Sequence, residues 1–168
     1  MSTYLAVMAK DITIRAATID DASALGRLGA LLVRLHNELD PERFIPATAK
    51  TEDNYGWFLG TQIKKPDVFV YVAEIEGKVV GYIYAGMEGM DYMALRGPAG
   101  ALYDIVVDPA FRGQGIGRQL LTKALAMLKD RGAPRVVLST AQGNEAAQHL
   151  FESAGFRRTM IEMTRESD

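Results

Sequence analysis

The chain has 168 residues, 48% of them hydrophobic and 24% charged, which is typical of a globular domain long enough for one substantial core. A net charge of -2 argues against nucleic-acid backbones as the main partner, since proteins that bind them usually carry a marked basic excess. The absence of cysteine excludes disulfides, a thiol nucleophile and a cysteine-linked acyl-enzyme.

The beginning of the chain predicts where the domain starts and where the protein works. Residues 1–10 form a leader that has neither a basic start nor an apolar region of signal-peptide length, and we expect it to be disordered. No run reaches the roughly 18 apolar residues of a membrane span. We therefore expect one domain within residues 1–168, in the cytoplasm and not at a membrane. His36 and His149 are not spaced as metal ligands, and no metal is expected.

The first third of the chain predicts one strand and two helices. Residues 12–16 alternate between apolar and polar side chains and form the strand. A cap at residues 18–21 opens a long helix that runs to Leu39 with a leucine stripe on one side. Residues 40–65 mix aromatic and acidic side chains and contain one short helix after Thr51.

The middle of the chain predicts a hairpin followed by a central strand. Residues 68–76 and 78–85 are apolar, β-branched and rich in tyrosine, and they are joined at Gly77. A flexible loop of glycine and methionine at residues 86–100 then leads into a buried strand at residues 101–107.

A glycine-rich segment, residues 112–117 (RGQGIG), lies between this strand and a helix. The strand ends at Asp108-Pro109 because proline cannot donate to a ladder, and apolar residues recur at helical spacing from Ile116 onward. A helix N-terminus has unpaired N–H groups and partial positive charge, and glycine removes side chains that would hold an anion away. The segment therefore predicts a phosphate or pyrophosphate site, although a tight turn alone would explain the glycines equally well.

The spacing of the glycines excludes two nucleotide-binding motifs. A Walker loop requires a lysine and then a serine or threonine after its last glycine, and no such pair follows here. The dinucleotide motif GxGxxG fails because the sixth position counted from Gly113 is Arg118.

The last third of the chain predicts a helix, a strand, a second helix and a final strand. Gly132 ends the helix that follows the glycines, and residues 135–140 form a short buried strand. Asn144 opens the second helix, which ends at Gly155, and residues 157–165 form the last strand. All elements together predict an α/β fold with a mixed, mostly antiparallel central β-sheet and helices on both sides.

Two motifs in the second half of the chain occur in the order of a known family. The first is R-x-x-G-x-G, at Arg112, Gly115 and Gly117. The second is the block NEAAQHLFESAGF, which starts at Asn144 and lies 26 residues beyond Arg118. Together they resemble the signature of the GCN5-related N-acetyltransferase (GNAT) superfamily across nearly the whole chain. The resemblance implies the acyl-CoA N-acyltransferase fold, with acetyl-CoA as co-substrate.

The resemblance also implies how coenzyme A would bind. The loop amides would hold its pyrophosphate, and the strand before the loop would pair its backbone with the pantetheine arm. Asn144 would hydrogen-bond this arm, a role compatible with capping its own helix. The residues implied in cofactor binding are Ile105, Val106, Val107, Arg112, Gly113, Gln114, Gly115, Ile116, Gly117, Arg118, Asn144 and Phe151.

Asp104 and Tyr103 are the candidate catalytic residues, because they are the nearest polar side chains on the central strand. Strand alternation predicts that they lie on opposite faces, so only one would point at the substrate. The alternative is structural, with Tyr103 in the core and Asp104 as a cap or a partner of Arg or Lys. Phe151 stands where many relatives carry a tyrosine that protonates the departing thiolate, so that role is unfilled. Ser139, where some relatives place a carboxylate, cannot serve alone as a strong base.

The function implied is transfer of an acetyl group from acetyl-CoA to a primary amine of a small molecule or peptide. Residues 40–57 and the loop at 86–100 would shape the acceptor pocket. One alternative is a non-catalytic acyl-CoA sensor, which the missing tyrosine at Phe151 favours. The other is an ATP-binding regulator, which the absent Walker pair disfavours. Family habit and an exposed sheet edge at residues 157–165 predict a homodimer.

Overall fold

The computed structural model describes residues 11–167, so the predicted leader lies outside the described residues. Within this range the chain forms five strands and four α-helices, with a single 3-10 turn before the first helix and another before the third. The strands are β1 (Thr13–Ala16), β2 (Val68–Ile75), β3 (Lys78–Glu88), β4 (Ala99–Val107) and β5 (Val136–Leu138). The helices are α1 (Ala22–Leu39), α2 (Thr51–Gln62), α3 (Ile116–Asp130) and α4 (Glu145–Ser153).

The five strands form one sheet in the order β1-β2-β3-β4-β5. The first three pairings are antiparallel, and β4 pairs with β5 in parallel. A parallel neighbour needs a long crossover, which α3 supplies between the two strands. The predicted mixed, mostly antiparallel sheet is therefore confirmed.

The helices cover both faces of the sheet, as predicted. On one face, Leu25, Leu28 and Leu59 of α1 and α2 pack against a cluster that includes Val72 and Tyr82 of the sheet. On the other, the buried side chains of α3 and α4 pack against the opposite sides of the strands; these are Ile116, Leu120, Leu121, Ala124, Leu128 and Phe151. Each large apolar side chain buried in this way contributes about 1.5–3 kcal/mol to the free energy of unfolding.

Helices α1 and α2 touch each other through glycines. A Cβ atom on Gly26 would lie 2.3 Å from the backbone oxygen of Glu52, and one on Gly29 would lie 2.1 Å from the ring of Tyr55. Gly56 of α2 faces the backbone of α1 with similar closeness. The glycines thus let the two helices approach to backbone contact, and the ring of Tyr55 occupies the space that Gly29 leaves.

The hairpin of β3 and β4 is longer than the sequence predicts. The two strands pair out to Glu88 and Ala99, so the expected loop at residues 86–100 shrinks to residues 89–98. Asp91 closes this shorter loop, because its carboxylate accepts hydrogen bonds from two backbone N–H groups and its backbone pairs with Arg96. Arg96 also makes an ion pair with Glu88 at the base of the loop.

The predicted last strand at residues 157–165 is wrong. The described residues after α4 have no helix or strand, and three apolar side chains of the expected strand, Met160, Ile161 and Met163, are 76%, 84% and 89% exposed. The neighbouring strand β5 has only three residues and offers little edge to pair with. The segment after α4 instead makes exposed ion pairs, one between Arg158 and Glu152 and one between Glu162 and Arg43. The sheet edge on which the predicted homodimer rested is therefore missing.

Candidate active site

An extra residue in β4 changes which side chains face the α1 and α2 helices. The pairing with β3 shifts between Tyr84↔Asp104 and Ala85↔Leu102, so Tyr103 is inserted as a β-bulge. Its ring lies 4.6 Å from that of Tyr84, while Asp104 lies directly across the ladder from the same tyrosine. The prediction that Tyr103 and Asp104 lie on opposite faces is therefore wrong, because the bulge breaks the alternation.

Strands β4 and β5 stop pairing just before the bulge. Their pairing ends at Leu102↔Leu138, and a cavity of about 260 Å³ opens where they separate. Its walls include Leu102 and Ile105, which face α3, and Tyr103 and Asp104, which face α1 and α2. The cavity therefore passes through the sheet from one face to the other.

Asp104 is the carboxylate in this cavity, and two tyrosines hold it. Tyr55 Oη donates a hydrogen bond of 2.6 Å and Tyr82 Oη one of 3.0 Å, both to Oδ2 of Asp104. Burial raises the pKa of the Asp104 carboxyl, and these two hydrogen bonds and nearby His36 lower it by less. Burial also raises the pKa of both tyrosines, which therefore remain protonated donors at neutral pH. The alternative that Asp104 pairs with Arg or Lys is wrong, since its partners are phenols.

Tyr103 is less suited than Asp104 to accept a proton. Its hydroxyl donates to Glu88 at 2.8 Å, and burial together with this carboxylate raises the pKa of the phenol above its usual range. The side chain is 40% exposed at the rim of the cavity, so the expectation of a core tyrosine is also wrong. A neutral phenol with a raised pKa is a poor base and a serviceable hydrogen-bond donor.

His36 also lines the cavity, although its sequence position indicates no role. Its Nδ1 lies 2.9 Å from the carbonyl oxygen of Leu32, and a carbonyl can only accept. Nδ1 therefore carries a proton, and in the neutral ring the lone pair is on Nε2. Ser139, the other polar candidate, lies in the wall formed by the segment after β5.

On the α3 and α4 side the cavity is lined by the beginning and the inner face of α4. Asn144 Oδ1 accepts a hydrogen bond of 3.2 Å from the backbone N–H of Ala147, so this residue caps its helix as predicted and lines the cavity as well. Phe151 is 6% exposed, with its ring 5.9 Å from that of Phe156. Val106 is buried toward α1 and α2, whereas Ile105 faces the cavity.

The glycine-rich segment forms an open turn before α3. Gly113 and Gly115 have φ angles of 78° and 79°, and a Cβ atom on either would meet nothing within 4 Å. Gly115 is the N-cap of α3 with no side-chain hydrogen bond, and the first turn contains no acidic residue. The first N–H groups of α3, starting at Ile116, thus lack an acceptor within the helix. Because Gly113 and Gly115 have no side chains, a ligand can approach these N–H groups freely. This arrangement fits an anion.

Three other predicted residues of this segment make contacts within the protein. Arg112 Nε donates to the carbonyl of Val107 at 3.2 Å, and Arg118 donates to Ser153 at 2.7 Å. A Cβ atom on Gly117 would lie 3.4 Å from the side chain of Leu150, so the absence of a side chain there serves the packing of α3 against α4. Gln114 is exposed at the tip of the turn.

Sequence reasoning missed Tyr55, Tyr82 and His36. A signal for the first of them was available, because glycines inside a predicted helix usually have a packing reason. Gly26 and Gly29 in α1 indicate a close neighbour, which is α2 with Tyr55. The sequence contains no comparable signal for His36 or Tyr82. Their positions beside Asp104 depend on the bulge in β4 and on the distance between the sheet and α1.

Searches for related sequences gave a family and several relatives. Residues 32–156 match the model of the acetyltransferase (GNAT) family. A mycothiol acetyltransferase of Cellulomonas flavigena is 32% identical over 147 residues, which cover 85% of this chain and 39% of that protein. An uncharacterized N-acetyltransferase of Methanocaldococcus jannaschii is 32% identical over 105 residues, 62% of this chain and 46% of that protein. The chain thus spans less than half the length of these relatives.

Solved structures share the fold at lower identity. A variant of the BH1408 protein from Bacillus halodurans superposes with a TM-score of 0.79 at 20% identity, covering 92% of this chain and 99% of its own. The aminoglycoside N-acetyltransferase AAC(6')-Iy in complex with CoA gives a TM-score of 0.69 at 18% identity, covering 97% and 99%. Among residues 11–167, no helix is long and apolar enough to cross a membrane, and no three His, Asp or Glu side chains are grouped as metal ligands.

Proposed function

The chain belongs to the acetyltransferase (GNAT) family, and we propose that it transfers an acetyl group from acetyl-CoA to a primary amine of a small molecule or peptide. The observation that carries this proposal is the cavity that crosses the sheet where β4 and β5 diverge. Such a passage lets two substrates approach one point from opposite faces. Direct transfer needs this geometry, because it places donor and acceptor in contact and provides much of the rate enhancement by positioning.

The α3 and α4 face fits the coenzyme. The open turn at Gly113 and Gly115 would hold the diphosphate through main-chain N–H groups and the partial charge of the α3 N-terminus. The edge of β4 beyond Leu102 would pair with the pantetheine arm, since β5 does not occupy it. Asn144 and Phe151 would line the far side of the arm. These roles use the residues that the sequence predicts for cofactor binding.

The α1 and α2 face fits the amine. In the proposed reaction the neutral amine nitrogen attacks the thioester carbonyl of acetyl-CoA, the C–S bond breaks, and coenzyme A leaves as a thiolate. Asp104 would attract the incoming ammonium, which gives one proton to bulk water to become the neutral amine, and Asp104 would then take the second proton, which the nitrogen loses on bond formation. Its raised pKa brings it closer to working pH, where a general base is most effective. Phe151 has no proton to give, so the thiolate would be protonated by water.

Two measurements on the purified chain test this proposal. Calorimetry with acetyl-CoA and with ATP should detect binding of acetyl-CoA only. Release of free coenzyme A should then depend on both acetyl-CoA and an added amine, over multiple turnovers. Binding of acetyl-CoA without turnover on any amine would favour the sensor that Phe151 suggests, and binding of ATP alone would contradict the proposed cofactor.

A further inference from the structure

A second cavity, of about 360 Å³, lies beside the first on the α1 and α2 face. The two share Val33 of α1 and Ile45 of the following loop as wall residues. Tyr55 lines the second cavity with its ring and donates its hydroxyl proton to Asp104. A molecule whose amine meets Asp104 therefore has the second cavity within reach of its remaining atoms. The volume is within the range of pockets that hold small ligands.

Among residues 11–167, the walls of the second cavity carry no charged side chain. They consist of aliphatic, aromatic, hydroxyl and amide side chains; these are Val33, Ile45, Pro46, Thr48, Thr51, Asn54, Tyr55 and Phe58. Tyr55 remains neutral because burial and Asp104 raise its pKa. In the first cavity, Asp104 is the one carboxylate among the lining residues. The described residues of the two cavities thus offer one negative partner for an ammonium group, Asp104, and no second one.

Aromatic rings continue this apolar surface toward Asp104. Phe58 lies 6.4 Å from Tyr55 and 6.1 Å from Tyr84, and Tyr84 lies 4.6 Å from Tyr103, all between ring centroids. Phe58 is 39% exposed and so remains available to a ligand. Rings at the entrance favour apolar and aromatic groups, and the described residues that line the second cavity include no carboxylate as the partner of a second ammonium.

From this arrangement we infer that the acceptor is a monoamine with an uncharged, apolar body, such as an alkylamine or an arylalkylamine. The inference rests on the proposed function, because it assigns the amine to Asp104. The amine meets Asp104 in the first cavity, and the apolar body lies against Phe58, Val33 and Ile45 in the second. Polyamines and aminoglycosides are poor acceptors, because each further ammonium would lie along these walls with no carboxylate as its partner, whereas an apolar body gains from contact with them.

The test compares coenzyme A release with matched amines. Hexylamine and 1,6-diaminohexane have the same carbon chain and differ by one ammonium; 2-phenylethylamine and kanamycin extend the series. We expect kcat/KM at least about ten-fold higher for hexylamine and 2-phenylethylamine than for 1,6-diaminohexane and kanamycin, the ratio that about 1.4 kcal/mol produces. A preference for the diamine or for kanamycin would overturn the inference and leave the proposed function intact. No release with any amine would overturn both.

A charge introduced into the shared wall sharpens this test. Ile45 is 75% exposed, so Ile45→Asp should fold, and its carboxylate would provide the second ammonium partner that the cavities lack. We expect the preference for hexylamine over 1,6-diaminohexane to shrink or reverse in this variant. The loop at residues 86–100, which the sequence predicts to shape the acceptor pocket, contributes no lining residue to either cavity. Met93→Asp in this loop is therefore the control, because Met93 is 94% exposed. An unchanged ratio in Ile45→Asp would place the body of the acceptor elsewhere and overturn the inference.

Discussion

The two openings of the passage through the sheet are built in different ways. On the α3 and α4 face the proposed coenzyme site begins outside the cavity wall, at the turn of Gly113 and Gly115, which presents main-chain N–H groups and is accessible because these residues have no side chains. On the α1 and α2 face the site consists of side chains from three elements, with Asp104 from β4, Tyr55 from α2 and Tyr82 from β3. A ligand site made of main-chain N–H groups needs only a short local sequence of fixed spacing. A ligand site made of side chains depends on how distant parts of the chain pack together. The first opening suits an invariant coenzyme and the second a particular acceptor.

The strongest way to separate the two openings is Asp104→Asn. Asparagine keeps the shape and still accepts the hydrogen bonds from Tyr55 and Tyr82, but it cannot take a proton from the amine. We expect kcat/KM for the amine to fall by about 10²–10⁴-fold, the usual contribution of a general base. The affinity for acetyl-CoA, measured by calorimetry, should stay unchanged.

His36→Gln provides the comparison for this variant, because His36 lines the same cavity and its Nε2 has a lone pair whenever the ring is neutral. We expect a much smaller loss of kcat/KM than in Asp104→Asn. If His36→Gln lost activity as severely and Asp104→Asn kept most of it, the histidine would be the base.

The difference between local main-chain sites and side-chain sites also explains which parts of the structure can be predicted from the sequence. The glycine-rich segment and the cap at Asn144 are local, so residues 112–118 and Asn144 can be named from their motifs and from the family resemblance that these motifs carry, and the sheet and its helices follow from hydrophobic periodicity. Asp104 could be named, but its tyrosine partners could not, because the bulge at Tyr103 shifts the register and Gly29 admits Tyr55 only when α1 meets α2. The last strand was wrongly predicted because its alternating pattern finds no long edge beside β5.

The coenzyme side of the comparison is tested by Gly115→Ala with Gly77→Ala as its matched control. Both glycines have positive φ, 79° and 76°, and at both a Cβ atom would meet nothing within 4 Å. The strain of alanine in this conformation, about 1–2 kcal/mol, should therefore lower the free energy of unfolding similarly in the two variants. Only Gly115→Ala places a methyl group where the diphosphate is proposed to bind.

We expect the affinity for acetyl-CoA to fall about ten-fold or more in Gly115→Ala, a loss of about 1.4 kcal/mol, and to be unchanged in Gly77→Ala. Chemical denaturation and calorimetry on the same samples separate the loss of stability from the loss of affinity. Equal acetyl-CoA affinity in the two variants would mean that the turn at Gly115 does not contact the coenzyme.

The buried Asp104 on the acceptor side should also lower the free energy of unfolding when it is ionised. Because the pKa of Asp104 is raised in the folded chain, the fold favours the protonated acid, and this stabilisation is present below the unfolded pKa and lost as pH rises through the folded pKa. Above this folded pKa the wild type therefore contains a buried carboxylate that Asp104→Asn lacks. We expect the melting temperature of the variant to exceed that of the wild type in this pH range. This gap should close as pH falls below the ordinary aspartate pKa of about 3.9. An Asp104→Asn variant that is less stable than the wild type in the range above the folded pKa would contradict this prediction.

The smallest expected effect concerns the two phenols on Asp104. The carboxylate must be ionised to act as a base, so kcat/KM should fall as pH drops through the pKa of Asp104. Tyr55→Phe removes a hydrogen bond that lowers this pKa and retains the ring, so the acidic limb of the profile should move to higher pH while the plateau changes little. Tyr82→Phe should shift the limb in the same direction by less, because its bond of 3.0 Å is longer than the 2.6 Å bond of Tyr55.

Tyr84→Phe is the control for these profiles, since the Tyr84 hydroxyl donates to Gln62 and makes no hydrogen bond to Asp104. The charged and titratable groups around Asp104 are His36 from α1, Tyr55 from α2, Tyr82 and Tyr84 from β3, and Tyr103 from β4. Of these, Tyr55, Tyr82 and His36 lower its pKa, so the order of the shifts identifies Asp104 as the group that titrates. If the acidic limb moved in Tyr84→Phe and stayed fixed in Tyr55→Phe, the limb would report the titration of a group other than Asp104. The main electrostatic difference between the two openings would then be lost.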